Sequence, residues 1–454
     1  MDSTRAPANT GATRTDRTAL TRVLRLGRNS AFGREHGFQA IRTIAEYQAR
    51  VPLASYDDII PYINQIAAGA ASVLTAQPVD LLEPSSGSAA ARKLIPYTKG
   101  LRQDYARAVR AWLWDLNRNF PRLRKGQVYF TITPAGTAAR STPGGVPIGF
   151  ADDSAYLGRF LGRYIARRSA VPLDVVRCQD MDEFWGRTVA AVQRAHDLRF
   201  LSIWNPTFLL LMIERSGLAP DQLFPDLELI SCWADAGAAP GAAELMRLFP
   251  QARLQPKGLL ATEGAVTIPI EGLGKRLAGV HFTEFIDQGG EPKTADQLDI
   301  GGEYEVVLST SGGLYRYRLG DMVEYRGRRC FEFLGKAADV VDRFGEKLNE
   351  AHVRQVVGAD KGFRLLTPQG RGYVLYSDAP LDAEAIDEGL RKNFHYDHCR
   401  RLGQLDQVRV IVTTDGAREY IDNCLRFGQR LGDIKPLCLT GREGWRFTAA
   451  RPQA

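Results

Sequence analysis

The chain lacks an apolar run long enough to cross a bilayer: Phe208 to Ile213, its longest, is six residues, against the roughly 20 a spanning helix needs. A membrane-embedded protein is therefore not expected. Cysteine is sparse, with six residues (Cys178, Cys232, Cys330, Cys399, Cys424, Cys438) and no Cys-x-x-Cys pair. That spacing argues for reduced thiols and against a zinc knuckle or disulfide framework. No Gly-x4-Gly-Lys-Ser/Thr occurs, which excludes a Walker-type phosphate loop. The net charge is +7, yet the basic residues are interleaved with 52 acidic ones. Without a polybasic stripe, nucleic acid is not an expected partner, and an anionic small substrate suits the balance equally well. Met1 to Thr15 is small and polar, with no apolar segment behind a basic start, so it reads as a loose N-terminus and a cytoplasmic protein is expected.

What is present is ordinary for a globular chain: 454 residues, 44% apolar and 24% charged, enough for two or three domains around a large core. The most distinctive stretch is Leu82 to Thr98. Ser85, Ser86, Gly87 and Ser88 form a short loop of hydroxyls and unencumbered backbone N–H groups, followed by Arg92 and Lys93. Such a turn can hold a polyphosphate, with amides and hydroxyls donating and a cation at the rim. A surface turn of small residues is the other reading.

Along the chain, Asp16 to about Gly69 reads as helical, with Ser55 as an N-cap and Asn29 to Gly37 as an intervening loop. Ser72 to Thr75, Val79 to Leu82 and Lys93 to Tyr97 read as strands flanking the serine loop. From Thr98 a long amphipathic helix carries Leu101, Tyr105, Val109, Trp112, Leu113 and Leu116 on one side. Val128 to Thr133 reads as another strand, and Ala135 to Gly149 as a connecting loop. Helical patterns follow over Ala155 to Arg168, Met181 to His196 and Phe208 to Glu214. Strands alternating with helices describe an α/β fold with ligand sites at strand ends. Trp204-Asn-Pro-Thr207 could line an acyl pocket or form a packed turn. His395-Tyr-Asp-His398-Cys399 reads as a polar helix face or loop in preference to a metal site.

Three later stretches carry candidate chemistry. Lys257-Gly-Leu-Leu-Ala-Thr-Glu-Gly264 places Thr262 and Glu263 where a hydroxyl meets a phosphate and a carboxylate holds Mg2+. Tyr317-Arg-Leu-Gly-Asp321 closes a β-rich stretch with an acid suited to vicinal ribose hydroxyls. Gly335 to Glu350 reads as a strand, a bend at Asp339, and a turn at Gly345 into a helix.

Taken in order, Ser85 to Lys93, Gly237 to Pro240, Leu259 to Glu263, Tyr317 to Asp321 and Gly335 to Gly345 resemble the motif ladder of the adenylate-forming acyl- and aryl-acid ligases. With Val51-Pro-Leu-Ala-Ser-Tyr-Asp-Asp-Ile-Ile-Pro-Tyr-Ile63 and Gly345 to Glu350, the chain is similar to the bacterial type of the Gretchen Hagen 3 (auxin-responsive) family of acyl acid amido synthetases. The resemblance spans about Asn29 to Lys435.

It implies a large N-terminal domain (1–337) of mixed sheets flanked by helices, binding ATP and the acid, and a small mobile C-terminal α+β lid (338–454). Ser85, Ser86, Gly87, Ser88 and Lys93 would cradle the phosphates; Gly237 and Ala238 would line the adenine. Thr262 would meet the α-phosphate, Glu263 the Mg2+, Asp321 the ribose and Lys336 the nucleotide. Asp339 would be the hinge. Lys435 would reach the carboxylate and α-phosphate during adenylation, although a solvated surface lysine fits that position too. The implied substrates are ATP, a small carboxylic acid and an amine, an amino acid above all. A thioester ligase using coenzyme A or a carrier, and a degenerate nucleotide-binding protein, are the alternatives. Ala89 to Ala91 replace a second loop glycine, and Leu259 stands where relatives carry an adenine-stacking tyrosine.

Overall fold

The computed structural model describes residues 13–84, 93–131, 140–150, 165–178, 180–287, 289–336, 340–341, 343–344, 346, 348–401, 403–429, 431 and 434–450. Ser85 to Ser88, Ala89 to Ala91, Asp339 and Gly345 lie outside them.

The chain begins with helices Arg14–Gly27, Ile44–Arg50 and Tyr56–Ala67. Each starts at a Thr or Ser whose side chain satisfies first-turn donors or receives a returning Asp or Glu. The stretch expected as a loop, Asn29 to Gly37, contains a further short helix, Ala31–Glu35, because Ser30 Oγ accepts the Gly33 N–H at 2.9 Å and caps it. Ser72 to Thr75, expected as a strand, is a series of bends. Its carbonyls accept from the N–H groups of Ala31 and Phe32 at 2.8 and 3.1 Å, so that run caps a helix instead of joining a ladder.

Four parallel strands, Gln127–Phe130, Leu198–Ser202, Leu229–Cys232 and Arg253–Pro256, lie side by side in chain order. Helices Met181–Arg194, Pro206–Ser216 and Ala239–Leu248 bury Phe184, Trp185, Phe208 and Leu245 against one face, through Tyr129, Leu201 and Ile230. The opposite face meets helix Lys99–Asn119, whose Trp112 and Leu116 share a core with Val128, Phe200 and Leu229. Thr98 caps that helix, accepting from the Leu101 N–H. The helical spacing read from the sequence is the stripe that is buried, with Leu113 at its edge.

A seven-stranded antiparallel sheet stands beside this layer. Its order is Thr267–Ile270, Gly274–Leu277, Cys330–Lys336, Tyr317–Gly327, Glu303–Ser309, Phe282–Ile286, Pro292–Lys293. Tyr317 to Asp321 therefore opens a strand instead of closing a β-rich stretch. An aspartate is disfavoured inside a strand, but here Asp321 has Lys336 as its cross-strand partner and the pairing offsets that preference. A small four-stranded sheet holds Val79–Pro84 and Leu94–Thr98, the two strands that flank the serine loop.

Beyond residue 340, strands Arg364–Gln369, Gly372–Ser377 and Arg409–Val412 form one sheet. It packs with helices Glu350–Val357, Ala383–Leu390 and Phe394–Arg401 around Leu348, Val353, Leu366, Leu375 and Tyr396. His395 to Cys399 falls inside the last of these helices, and no metal-binding group of three or more His, Cys, Asp or Glu occurs among the described residues. All six cysteines are buried free thiols, as the spacing predicts. No described helix is long and apolar enough to cross a membrane.

Candidate active site

Thr262 and Glu263 form the tip of a two-residue turn between Leu260–Ala261 and Gly264–Ala265. Two tyrosine hydroxyls hold this turn from the flank: Tyr97 donates to the Thr262 carbonyl at 2.6 Å and Tyr105 to the Ala261 carbonyl. Both come from elements adjoining the serine loop, one on its outgoing strand and one on the following helix. A third support is His281, whose Nε2 accepts the Ala265 N–H at 3.2 Å, which places the ring proton on Nδ1, 3.6 Å from Asp104.

Burial holds His281 neutral, lowering its pKa to about 3, with the charges of Arg22 and Arg107 adding to the effect. The unfolded chain takes up a proton near pH 6.5 that the folded chain refuses until about pH 3. Stability from this group is thus present above pH 6.5 and is lost as pH falls toward 3. Urea titrations of the wild type and His281→Gln should diverge on acidification, the wild type losing about 1.4 kcal/mol more per pH unit between roughly pH 6 and 4.

Glu263 is buried in a nest of charge. Burial first, then the charge of Asp321, raises its pKa above the ordinary carboxylate range, while Lys336 and Lys93 act in the opposite direction. Asp321 is itself buried and meets Lys336 Nζ at 3.1 Å. Lys93 places its ammonium 5.6 Å from the ring centre of Tyr56, whose hydroxyl accepts the Leu94 N–H at 2.7 Å. Tyr317, at the head of the Asp321 strand, is fully buried, and its hydroxyl has no hydrogen-bond partner among the described residues. Burial and the charge of Glu263 both raise the pKa of that phenol. The sequence-read residues Lys93, Thr262, Glu263, Asp321 and Lys336 thus converge on one place.

The segment Val51 to Asp57 brings Tyr56 there by pairing with the same strand: Ala54 bonds to the Arg316 carbonyl at 3.0 Å and accepts from the Arg318 N–H at 2.8 Å. Tyr56, Tyr97, Tyr105 and Tyr317 were not assigned to the site by sequence reasoning. A lone tyrosine carries no spacing signal, although Tyr56 and Tyr317 each lie within a quoted motif stretch.

Gly237 and Ala238 occupy a short 3-10 turn that leads into helix Ala239–Leu248. Asp235, just before it, is ion-paired with Lys275, which also meets Glu332, and accepts the Phe333 N–H at 3.4 Å. The turn is thereby fastened to the strand that ends in Lys336.

Trp204 packs on Trp233 with ring centres 5.7 Å apart, and Lys435 Nζ lies 4.7 Å from the Trp233 ring centre. The Lys435 segment is seated by Asn205 Nδ2, which donates to the Ile434 carbonyl at 2.5 Å, and by Tyr420, which donates to the Lys435 carbonyl at 2.6 Å. Thr207 makes the contacts of the packed turn, the second of the two readings its motif offered. Its hydroxyl and N–H both donate to Asn205 Oδ1, capping helix Pro206–Ser216. Leu259 is partly buried against the core.

The fold is shared with two solved ligases. It superposes on a GH3.15 acyl acid amido synthetase with a TM-score of 0.76 at 16% identity, covering 95% of this chain and 91% of that one. A 2-hydroxyisobutyryl-CoA ligase in the postadenylation state aligns with a TM-score of 0.55 at 13% identity, over 91% of each chain. Residues 8–217 match the GH3 family N-terminal domain and residues 276–336 the GH3 family central domain. The chain belongs to the GH3 family. The indole-3-acetic acid-amido synthetase GH3.8 of Oryza sativa subsp. indica is 26% identical over 440 residues, spanning 78% of this chain and 71% of that protein.

Proposed function

We propose that the chain is an ATP-dependent acyl acid amido synthetase: it adenylates a carboxylic acid, releases pyrophosphate, and transfers the acyl group to an amine, an amino acid by preference. The observation that carries this reading is the convergence of Glu263, Asp321, Lys336 and Lys93 on one place, with the Tyr317 hydroxyl there unpaired among the described residues. An unpartnered buried hydroxyl and a carboxylate held above its usual pKa suit a polar, cation-bearing ligand. Family membership supplies the reaction class.

In the first step a carboxylate oxygen attacks the α-phosphorus of ATP and the bond to the β,γ-pyrophosphate breaks. Two anions must approach, so cations govern the rate. Lys93, which follows the serine loop in sequence, would supply positive charge to the phosphates. Asp321 would accept from the ribose hydroxyls, held in place by Lys336 Nζ at 3.1 Å. Glu263 fits Mg2+, which takes one or two protein carboxylates and fills its other positions with phosphate oxygens and water; when bound, the ion neutralises charge on the phosphates. In the second step the amine nitrogen attacks the acyl carbon, the bond to AMP breaks, and an amide remains. Residues 1–337 would hold the nucleotide and acid, and 338–454 would serve as a lid that turns at Asp339 and excludes water from the adenylate.

Lys435 is the proposed mobile cation of the first step. Lys435→Ala should lower pyrophosphate release by about 100-fold while leaving amide formation from a supplied acyl-adenylate within about threefold of the wild type. A role as a solvated lysine predicts no change in either. The general test supplies ATP and Mg2+ with a panel of aryl and alkyl acids, follows pyrophosphate, then adds amino acids or coenzyme A and identifies the product by mass. A thioester with no amide would overturn the acceptor assignment, and silence across the panel would overturn the ligase reading.

A further inference from the structure

Lys257 takes no part in the chemistry above, yet it is buried. Its ammonium donates to Ser202 Oγ at 2.7 Å and lies 4.9 Å from the ring centre of Trp112 and 5.1 Å from that of Trp204. Among the described residues no carboxylate meets it, and burial lowers its pKa to about 7. A cation held by two indole faces and one hydroxyl is incompletely compensated for its lost hydration.

Its neighbours repeat the pattern. Ser202, Ser231 and Gln255 are register partners on three adjacent parallel strands, so their side chains share one face, and Lys257, two residues past Gln255, shares it too. Gln255 Oε1 accepts from Trp112 Nε1 at 2.8 Å. Gln255 Nε2 and Ser231 Oγ, on buried residues, have no hydrogen-bond partner among the described residues. A purely structural lysine would explain the indole contacts but leaves both orphans unexplained. Buried polar groups are rarely left unsatisfied, and these lie at the carboxyl ends of parallel strands, where open α/β sheets bind ligands.

The chemistry of the ligand follows from the donors. An ammonium, an amide NH2 and a hydroxyl all donate, so the group they fit is a strong anionic acceptor, a carboxylate. The Trp204–Trp233 pair connects this place to Lys435, which lies on the Trp233 ring. An acid lying along the pair would offer its reacting end to Lys435 and its remote end to Lys257.

We propose that Lys257, Gln255 and Ser231 form a subsite for a second carboxylate on the acyl acid, remote from the one that is activated, so that the preferred acids are dicarboxylic. This rests on the ligase reading. The full chain, with ATP and Mg2+ and no amine, is tested for pyrophosphate release with adipate against hexanoate and with benzene-1,4-dicarboxylate against benzoate. In at least one pair the diacid should be favoured by about 100-fold in kcat/KM, and Lys257→Met should bring that ratio to within about threefold of one. Gln255→Leu, a milder change, should reduce the ratio by about tenfold.

Equal use of diacid and monoacid by the wild type overturns the proposal, as does a ratio indifferent to both variants. An effect of Lys257→Met confined to the KM of the amino acid would assign the subsite to the acceptor's carboxylate and overturn it as well. Failure of the ligase reading is distinct: neither member of any pair would then release pyrophosphate.

Discussion

Glu263→Gln should abolish adenylation, lowering pyrophosphate release by about 1,000-fold or more, while the protein stays folded. The substitution keeps shape and hydrogen-bonding capacity and removes only the charge. That charge is what the site is arranged to use, because Lys336, Lys93, Asp321 and Tyr317 all sense it electrostatically. Desolvation makes the ionised carboxylate costly in the absence of a cation, which is why its pKa lies above the usual range. The sign for stability follows. A raised carboxyl pKa means that the folded chain binds this proton more tightly than the unfolded chain does. The group therefore adds stability at low pH and withdraws it as pH rises past its unfolded value. Glu263→Gln should accordingly be no less stable than the wild type at neutral pH. Activity of the wild type should fall on acidification at a pH above that of an ordinary glutamate, as Glu263 takes up its proton. Pyrophosphate release against pH and Mg2+ concentration, beside a urea midpoint, reads all three; a variant that retains more than a tenth of the wild-type rate would remove Glu263 from its assigned role.

Glu284→Ala should cost about 3–5 kcal/mol of stability. Glu284 is fully buried and pairs with Arg316 Nε at 3.0 Å, with Gln48 Nε2 at 2.9 Å on its other oxygen. The Arg316 guanidinium also donates to the carbonyls of Gln48 and Val51 at 2.9 and 2.8 Å. Removing the acid leaves a buried cation without its counter-charge, and this loss outweighs any pairing energy inferred from the distance alone. Arg316 has a left-handed backbone, φ +46, whose N–H is taken by Ser309 Oγ at 3.0 Å, so the guanidinium network also holds a locally strained turn in place. The site should feel the change. This network ties Val51 to Ala54 against the strand that begins at Tyr317, and the same segment presents Tyr56 to Lys93. The double variant Glu284→Leu with Arg316→Met should recover most of the lost stability, because a buried pair replaced on both sides leaves no orphan charge. Urea unfolding of the three proteins checks this, and a single variant within about 1 kcal/mol of the wild type would refute it.

Much of the site was legible in the primary structure because its residues are carried by short ordered motifs. Thr262 and Glu263 follow an apolar run, Asp321 follows Tyr317 at four positions, and Lys93 closes a small-residue loop. Their mutual order survives without any knowledge of distance. Trp204 to Thr207 left two readings open, and the packed turn is the one whose contacts are seen: Asn205 caps the helix and Thr207 donates to it. Ser72 to Thr75 and Asn29 to Gly37 were misread because each one's conformation depends on the other, the carbonyls of one accepting from the helix start in the other.

The amino-acid order by itself determined the α/β alternation, the long buried stripe of helix Lys99–Asn119, the unpaired thiols and the family's series of motifs, all of which depend on spacing within a few residues. Only the tertiary structure decided that Asp321 and Lys336 face each other across two strands, that four tyrosines support the Thr262–Glu263 turn and its surroundings, and that Lys257 is enclosed between two tryptophans far from it in the chain. The reason is physical. Periodicity and capping act through near neighbours along the backbone, whereas desolvation, ion pairing and ring contact depend on which surfaces the sheets and helices close against each other.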